Sequence, residues 1–151
     1  MPQNPISGVT GIIGSGLLAD DERMSLIASN MANAGSIAAP GSQPYEAVEP
    51  VFAALPLSDP DDPSDAAEPS DQPGSASVDV VGTMQSDAPA KLVYDPSSPY
   101  ANQAGYVAAS NVSEVQQMVD MIDATQSYAA EVAVLDEHER TETLILQSFV
   151  S

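Results

Sequence analysis

The chain has 151 residues, with no cysteine, no tryptophan, two phenylalanines and one histidine. Its only basic residues are Arg23, Lys91 and Arg140, against 22 acids, for a formal net charge of −19. Without cysteine there is no disulfide, no thiolate nucleophile and no zinc–thiolate site, while the compartment stays open. Three cations cannot neutralise a track of phosphates, which excludes nucleic-acid binding and disfavours an anionic membrane surface. No run of about 18 apolar residues occurs, so no segment is expected to span a membrane. The opening Met1-Pro-Gln-Asn-Pro5 lacks the positive flank of a secretory leader, and Asp20-Asp21-Glu22 follows the short apolar part. A cleaved signal peptide is therefore not expected, and export from the cytoplasm would use another route. The length is that of one domain. Its middle is poor in apolar residues, so the core is expected to be small, and self-repulsion should keep the unassembled chain soluble.

What the sequence does have is a long apolar-striped run at each end. Ile6, Val9, Ile13, Leu17, Met24, Ile27 and Met31 recur at heptad-like steps broken once, at Asp20, which predicts a helix over about 4–34. Gly8, Gly11, Gly14 and Gly16 weaken its first half by roughly 1 kcal/mol each relative to alanine, so that half is expected to order on packing. Gly35 is the expected left-handed C-cap. The second helix is expected to open at Asn111, with Asn111 and Glu114 as a capping-box-like pair. Its stripe runs Val115, Met118, Ile122, Ala129 and Val132, then fails at Asp136 and Glu139, where Leu135, Leu144, Ile145, Leu146 and Phe149 take a rotated face. Neither helix can bury its stripe alone, so the two are expected to pair with each other or with other subunits.

Between them, 35–110 reads as a middle segment with a small β region, at about 45–55 and 78–94, and a disordered acidic Pro-rich loop over 56–77. Eight of the 13 prolines fall between Pro40 and Pro73, and Ser58–Pro73 holds six acids and no base, a composition that cannot offset its ordering entropy. Tyr45–Leu57, Val78–Val81 and Lys91–Tyr94 are strand candidates, expected to join in one small antiparallel sheet. The predicted fold is therefore mainly α with a small β segment. Its terminal helices, 1–34 and 111–151, pair as an antiparallel coiled coil.

Three patterns carry possible chemistry. Gly14-Ser-Gly-Leu-Leu-Ala19 satisfies the dinucleotide G-x-G-x-x-A, which needs a strand before it and a helix N-terminus after it. Helix-packing glycines are the simpler account. His138-Glu-Arg-Thr-Glu142 resembles the zinc pattern H-E-x-x-H with the second histidine replaced, and a lone histidine on an acidic helix face explains it better. Asp120, Asp123, Asp136, Glu137 and Glu139 lack a calcium-loop spacing and read as solvated charge. No catalytic residue, cofactor, metal or small-molecule substrate is expected.

Three further blocks carry a resemblance. The first is Ser15-Gly-Leu17, Arg23-Met24 and Ile27-Ala-Ser-Asn-Met-Ala-Asn-Ala34. The second is Leu92-Val-Tyr-Asp-Pro-Ser-Ser-Pro99 with Gly105-Tyr-Val107 and Asn111-Val112. The third is Glu114-Val-Gln-Gln-Met-Val-Asp-Met-Ile122 with Tyr128 and Val132. Together they resemble the proximal rod proteins of the bacterial flagellar basal body, of the FlgC type. The sequence departs from that pattern at Met31, in place of isoleucine, in Asp136-Glu-His-Glu-Arg140, and in the long acidic insertion.

The resemblance implies a structural subunit that leaves the cell through the flagellar export apparatus and joins a periplasmic rod. Other rod subunits and copies of itself would be its partners, in a helical tube that transmits torque and encloses the export channel. The expected helix-seam and assembly residues are Leu17, Met24, Ile27, Met31, Val115, Met118, Ile122 and Val132, with Leu144, Ile145 and Phe149 toward neighbours. A soluble acidic adaptor or chaperone, binding one partner through the two helices, is the alternative.

Overall fold

A computed structural model describes residues 5–56 and 76–150. The chain runs α1 (Pro5–Asn33), β1 (Ile37–Ala38), β2 (Val48–Pro56), β3 (Ala76–Gln85), β4 (Lys91–Tyr94), β5 (Tyr106–Ala109) and α2 (Glu114–Val150). The fold is mainly helical with small antiparallel sheets. At about 1.5 Å per residue, the 29 residues of α1 and 37 of α2 extend roughly 44 and 55 Å.

The helices pack side by side and antiparallel. Asn30, near the end of α1, bonds Gln117 in the first turn of α2, and Gly16 in α1 lies against Glu131 further along α2. The same register brings Glu142 about level with Pro5, so Leu144–Leu146 extend past the first described turn of α1.

The β segments form two sheets rather than one. β2 and β3 make a hairpin, Val48 opposite Gln85 through Pro56 opposite Ala76, and the register shift between Val51 and Phe52 leaves Val81 unpaired. This bulge lets ten residues of β3 match nine of β2. The hairpin lies on α1, where the Val78 N–H donates to Ser15 Oγ (3.1 Å). The second sheet has the order β1-β5-β4, with β5 central. The β1 and β5 strands were not among the candidates, and β1, at two residues, is too short to show any pattern. The β2 and β3 strands also extend to Pro56 and from Ala76, taking the ends of the segment read as a loop. The remainder of that acidic Pro-rich stretch, 57–75, lies outside the described residues.

Both helix ends differ from expectation. Gly35 is not in the left-handed region, which among the described residues only Gly41 and Gly105 occupy. Asn33 closes α1 instead. Its side-chain amide donates to the Ser29 carbonyl (2.8 Å) and its own carbonyl accepts from the Ser36 N–H (3.0 Å). Asn111 is not the cap of α2, because the Ser113 carbonyl receives the first helical bond, from the Gln117 N–H (2.9 Å).

Buried apolar side chains among the described residues are Ala19, Ile27, Val107, Ala108, Val112 and Ala124. Only three of these exceed alanine in size, a small core for so long a chain. Polar interactions at the junction of helices and sheets therefore carry much of the specificity.

Candidate assembly surface and the junction that orients it

The junction is organised by two asparagines. Asn30 is 2 % exposed and uses all four of its amide valences. Its Oδ1 accepts from the Val48 N–H (2.9 Å) and the Tyr45 hydroxyl (3.0 Å), while Nδ2 donates to the Val48 carbonyl (2.9 Å) and Gln117 Oε1 (3.0 Å). One side chain thus ties α1, the start of β2 and the first turn of α2, and leaves no polar atom unpaired. Asn111 does the same one layer away. It accepts from the Ala47 N–H (2.8 Å) and donates to the carbonyls of Ala88 (2.9 Å) and Ser86 (3.4 Å). Lys91 donates to the Val112 carbonyl (3.0 Å), securing the approach to α2.

The Tyr94–Tyr106 block is a second local unit. The two rings meet edge to face with centroids 5.3 Å apart, a favourable aromatic geometry. Gly105 has φ +81°, and a methyl group there would meet the Tyr94 ring at 2.7 Å and the Pro96 Cβ at 3.2 Å. Asn102 Oδ1 accepts from the Ala104 and Tyr106 N–H groups and so fixes this turn. Gly105→Ala is therefore expected to lower stability by about 2 kcal/mol or more, combining left-handed strain and steric overlap. Thermal denaturation checks this, and an unchanged midpoint would sink it.

Along the seam itself, α2 turns an unexpected face toward α1. Gln117, Met121, Ala124 and Glu131 are buried or half-buried there, with Ala124 at 0 % exposure, and Gln117 meets Asn30 while Glu131 meets Gly16. Of the residues expected on the α1 side, Ile27 is buried, and Leu17, Met24 and Met31 are half-buried. Those expected on α2 lie elsewhere. Val115, Met118, Ile122 and Val132 are exposed, at 74, 50, 56 and 39 %, so in the single chain they do not form the seam between its own helices. Leu144 and Ile145 are exposed as well, and the side chain of Phe149 lies outside the described residues.

The α2 stripe is thus a second face, open along its length. At about 100° per residue, Val115, Met118, Ile122 and Ala129 share one side of the helix, roughly opposite Gln117 and Ala124. Heptad spacing showed that a stripe existed but not which neighbour covers it. The inner seam was illegible because its residues are small or polar.

The seam also contains a pair of carboxyls. Asp20 Oδ2 and Glu131 Oε2 are buried without a hydrogen-bond partner, as is His138 Nε2 two turns further along α2. Gly16 makes room for the Glu131 carboxylate, since a methyl group there would meet Glu131 Oε1 at 2.5 Å. Burial raises the Glu131 carboxyl above its ordinary 4.5, and the charge of Asp20 acts in the same direction. The folded helix pair therefore prefers protonated Glu131. This contribution is fully present below the ordinary value and is lost as pH rises through the raised one. Glu131→Gln mimics the protonated carboxyl. It is expected to unfold at a higher temperature than the parent near about pH 7 and at the same temperature below about pH 4. Coincident melting curves at both pH values would refute the assignment.

The site-like motifs have plain structural placements. Gly14–Ala19 lies inside α1, so no helix N-terminus opens there to receive a pyrophosphate. His138 and Glu142 lie on α2. Among the described residues no group of three or more His, Cys, Asp or Glu side chains is placed to hold a metal, and no helix is long and apolar enough to cross a membrane.

Residues 103–141, from the Asn102–Tyr106 turn through most of α2, match the family model "Flagellar basal body rod FlgEFG protein C-terminal". The flagellar basal-body rod protein FlgC of Salmonella typhimurium is 41 % identical over 127 residues, covering 83 % of this chain and 84 % of the relative. FlgC of Yersinia enterocolitica is 38 % identical over 137 residues, covering 91 % and 90 %. FlgC of Aquifex aeolicus is 36 % identical over 119 residues, covering 79 % and 78 %. The chain belongs to the FlgC family of flagellar basal-body rod proteins, whose members are structural subunits rather than enzymes.

Proposed function

We propose that the chain assembles, with other rod subunits and copies of itself, into a helical tube that transmits torque and encloses the export channel. The observation that carries this reading is the stripe Val115, Met118, Ile122 and Val132. It is exposed in the single chain yet spaced as helix-packing positions are. A monomeric protein gains nothing from a long apolar stripe open to water. A subunit that buries it on stacking gains roughly 1.5–3 kcal/mol for each large side chain covered.

In this reading α1 and α2 form an antiparallel coiled-coil unit, and the Asn30 and Asn111 junction sets the angle of the β region to it. Leu17, Met24, Ile27 and Met31 support the inner side of the pair. Leu144, Ile145 and Phe149 reach a neighbour at the end of α2, and Leu92-Val-Tyr94 shields the outer side. The flagellar export apparatus carries the chain, without a cleaved signal, to a periplasmic rod. Deleting the gene should remove the external filament and motility, re-expression should restore both, and the chain should co-purify with basal bodies. Cells that keep their filaments after the deletion would refute the proposal. So would a purified chain that forms only one discrete complex with a single partner outside the basal body.

A further inference from the structure

We infer that Asp20 and Glu131 form a pH-dependent hinge within the helix pair. While the pair holds a proton, the outer half of the seam, residues 8–18 against 131–142, stays closed. Without the proton that half parts, and the end tied by Asn30 stays paired. The inference concerns the single chain and does not depend on the rod reading.

The seam changes character at these two residues. Among the described residues, every buried side chain of the helices lies at this border or on the Asn30 side of it: Ala19, Asp20, Ile27 and Asn30 in α1, and Ala124 in α2. On the other side the described side chains of both helices are half-buried at most. A methyl group at Gly8, Gly11 or Gly14 would meet nothing within 4 Å, whereas at Gly16 it would meet the Glu131 carboxylate. The outer half therefore depends on what the border supplies.

At that border Asp20 Oδ2 and Glu131 Oε2 are both buried without a hydrogen-bond partner. Two ionised carboxylates offer only acceptors, and their buried charge goes uncompensated. One proton on Glu131 turns an acceptor into a donor and removes the like-charge repulsion. Among the described residues α1 is the only element packed against α2. Its other charged groups face elsewhere: Asp21 and Glu22 line a groove with Asp79 of β3, and Arg23 lines a cleft with Glu49 and Asp120. On α2 itself, His138 and Glu142 are half-buried further along the seam face. Burial and the Asp20 charge both raise the Glu131 carboxyl. Closure is thus complete below its ordinary value and is lost as pH rises through the raised one.

The chain has no cysteine, so spin labels go only where cysteines are placed. Electron–electron distance measurements on the purified full chain compare Val9→Cys/Glu139→Cys, across the outer half, with Ser25→Cys/Val119→Cys, across the anchored half. All four sites are exposed. From about pH 5 to about pH 8 the closed population of the outer pair should fall by about threefold or more, with the anchored pair unchanged. Adding Glu131→Gln should keep the outer pair closed at both pH values, and Asp20→Asn should reduce the opening. Glu137→Gln, at an exposed carboxyl, should open as the parent does. Amide exchange of residues 8–18 against 19–30 in the unlabelled chain gives the same comparison without cysteines. An outer half that ignores pH, opening that persists in Glu131→Gln, equal suppression by Glu137→Gln, or joint loss of both halves would each overturn the inference.

Discussion

Ile122→Asp leaves the isolated chain folded and abolishes motility. Ile122 is 56 % exposed and points away from α1, so in the free subunit the substitution exchanges one solvated side chain for another. Its effect on thermal stability should stay within about 0.5 kcal/mol, the usual range for surface positions away from special features. Stacking changes the outcome. Once a neighbouring helix covers the stripe, the carboxylate must be buried without a partner, at a cost of several kcal/mol per interface, or the helix must stay away. Repeated in every subunit, that penalty stops assembly. Soft-agar motility and recovery of the variant in basal bodies measure one half of this expectation, and a melting curve of the purified chain the other. Wild-type swimming would sink the assignment of this face. A variant that no longer folds would show that the face belongs to the chain's own core.

The opposite behaviour is expected at Asn30, where the fold itself is at stake. Alanine there removes four hydrogen bonds and strands the backbone N–H and carbonyl of Val48 and the side chain of Gln117 in a buried junction. Each buried polar group left unpaired costs about 1–3 kcal/mol, and partial access of water to Tyr45 and Gln117 reduces the total. A loss of about 3 kcal/mol is expected, or roughly 10 °C in the melting midpoint for a chain of this size. Asn30→Asp should be at least as damaging at neutral pH. A carboxylate keeps the acceptors but replaces both donors, placing negative charge against the Val48 carbonyl and Gln117 Oε1. Urea denaturation of the three proteins decides the matter, and a loss below about 1 kcal/mol for Asn30→Ala would show that the network does not anchor the junction. With so few large apolar side chains buried, such a loss removes a sizeable fraction of the total stability.

The two positions illustrate what periodicity can and cannot reveal. Ile122 was legible because apolar residues at steps of three and four need burial wherever they occur. Asn30 stood in plain sight within Ile27-Ala-Ser-Asn-Met-Ala-Asn, as a polar residue amid a helix's apolar positions. Its partners, however, are 15, 18 and 87 residues away, and nothing local indicates them. Asn111 shows the same limit from the other direction. Local spacing made it a helix cap, but three backbone groups from 23 to 64 residues distant claim its amide. The division of the β segments followed the same logic. Apolar residues beside turn signals marked β2, β3 and β4, whereas the separation into two sheets depends on the two short strands β1 and β5, which join β4 and not the hairpin.

Composition and pattern alone determined that this chain is mainly helical, without cysteine for any disulfide, and built around two long striped helices that need company. Those conclusions follow from local side-chain chemistry and from the angular period of a helix, both properties of the sequence. Tertiary structure alone decided which side of α2 meets α1. The winning face, with Gln117, Ala124 and Glu131, is the less apolar one, because small residues and Gly16 allow close approach and Asn30 supplies the polar partner for Gln117. The more apolar face was thereby left open. A helix has room for two seams, and only the packed structure shows which one the chain uses for itself and which it presents to a neighbour.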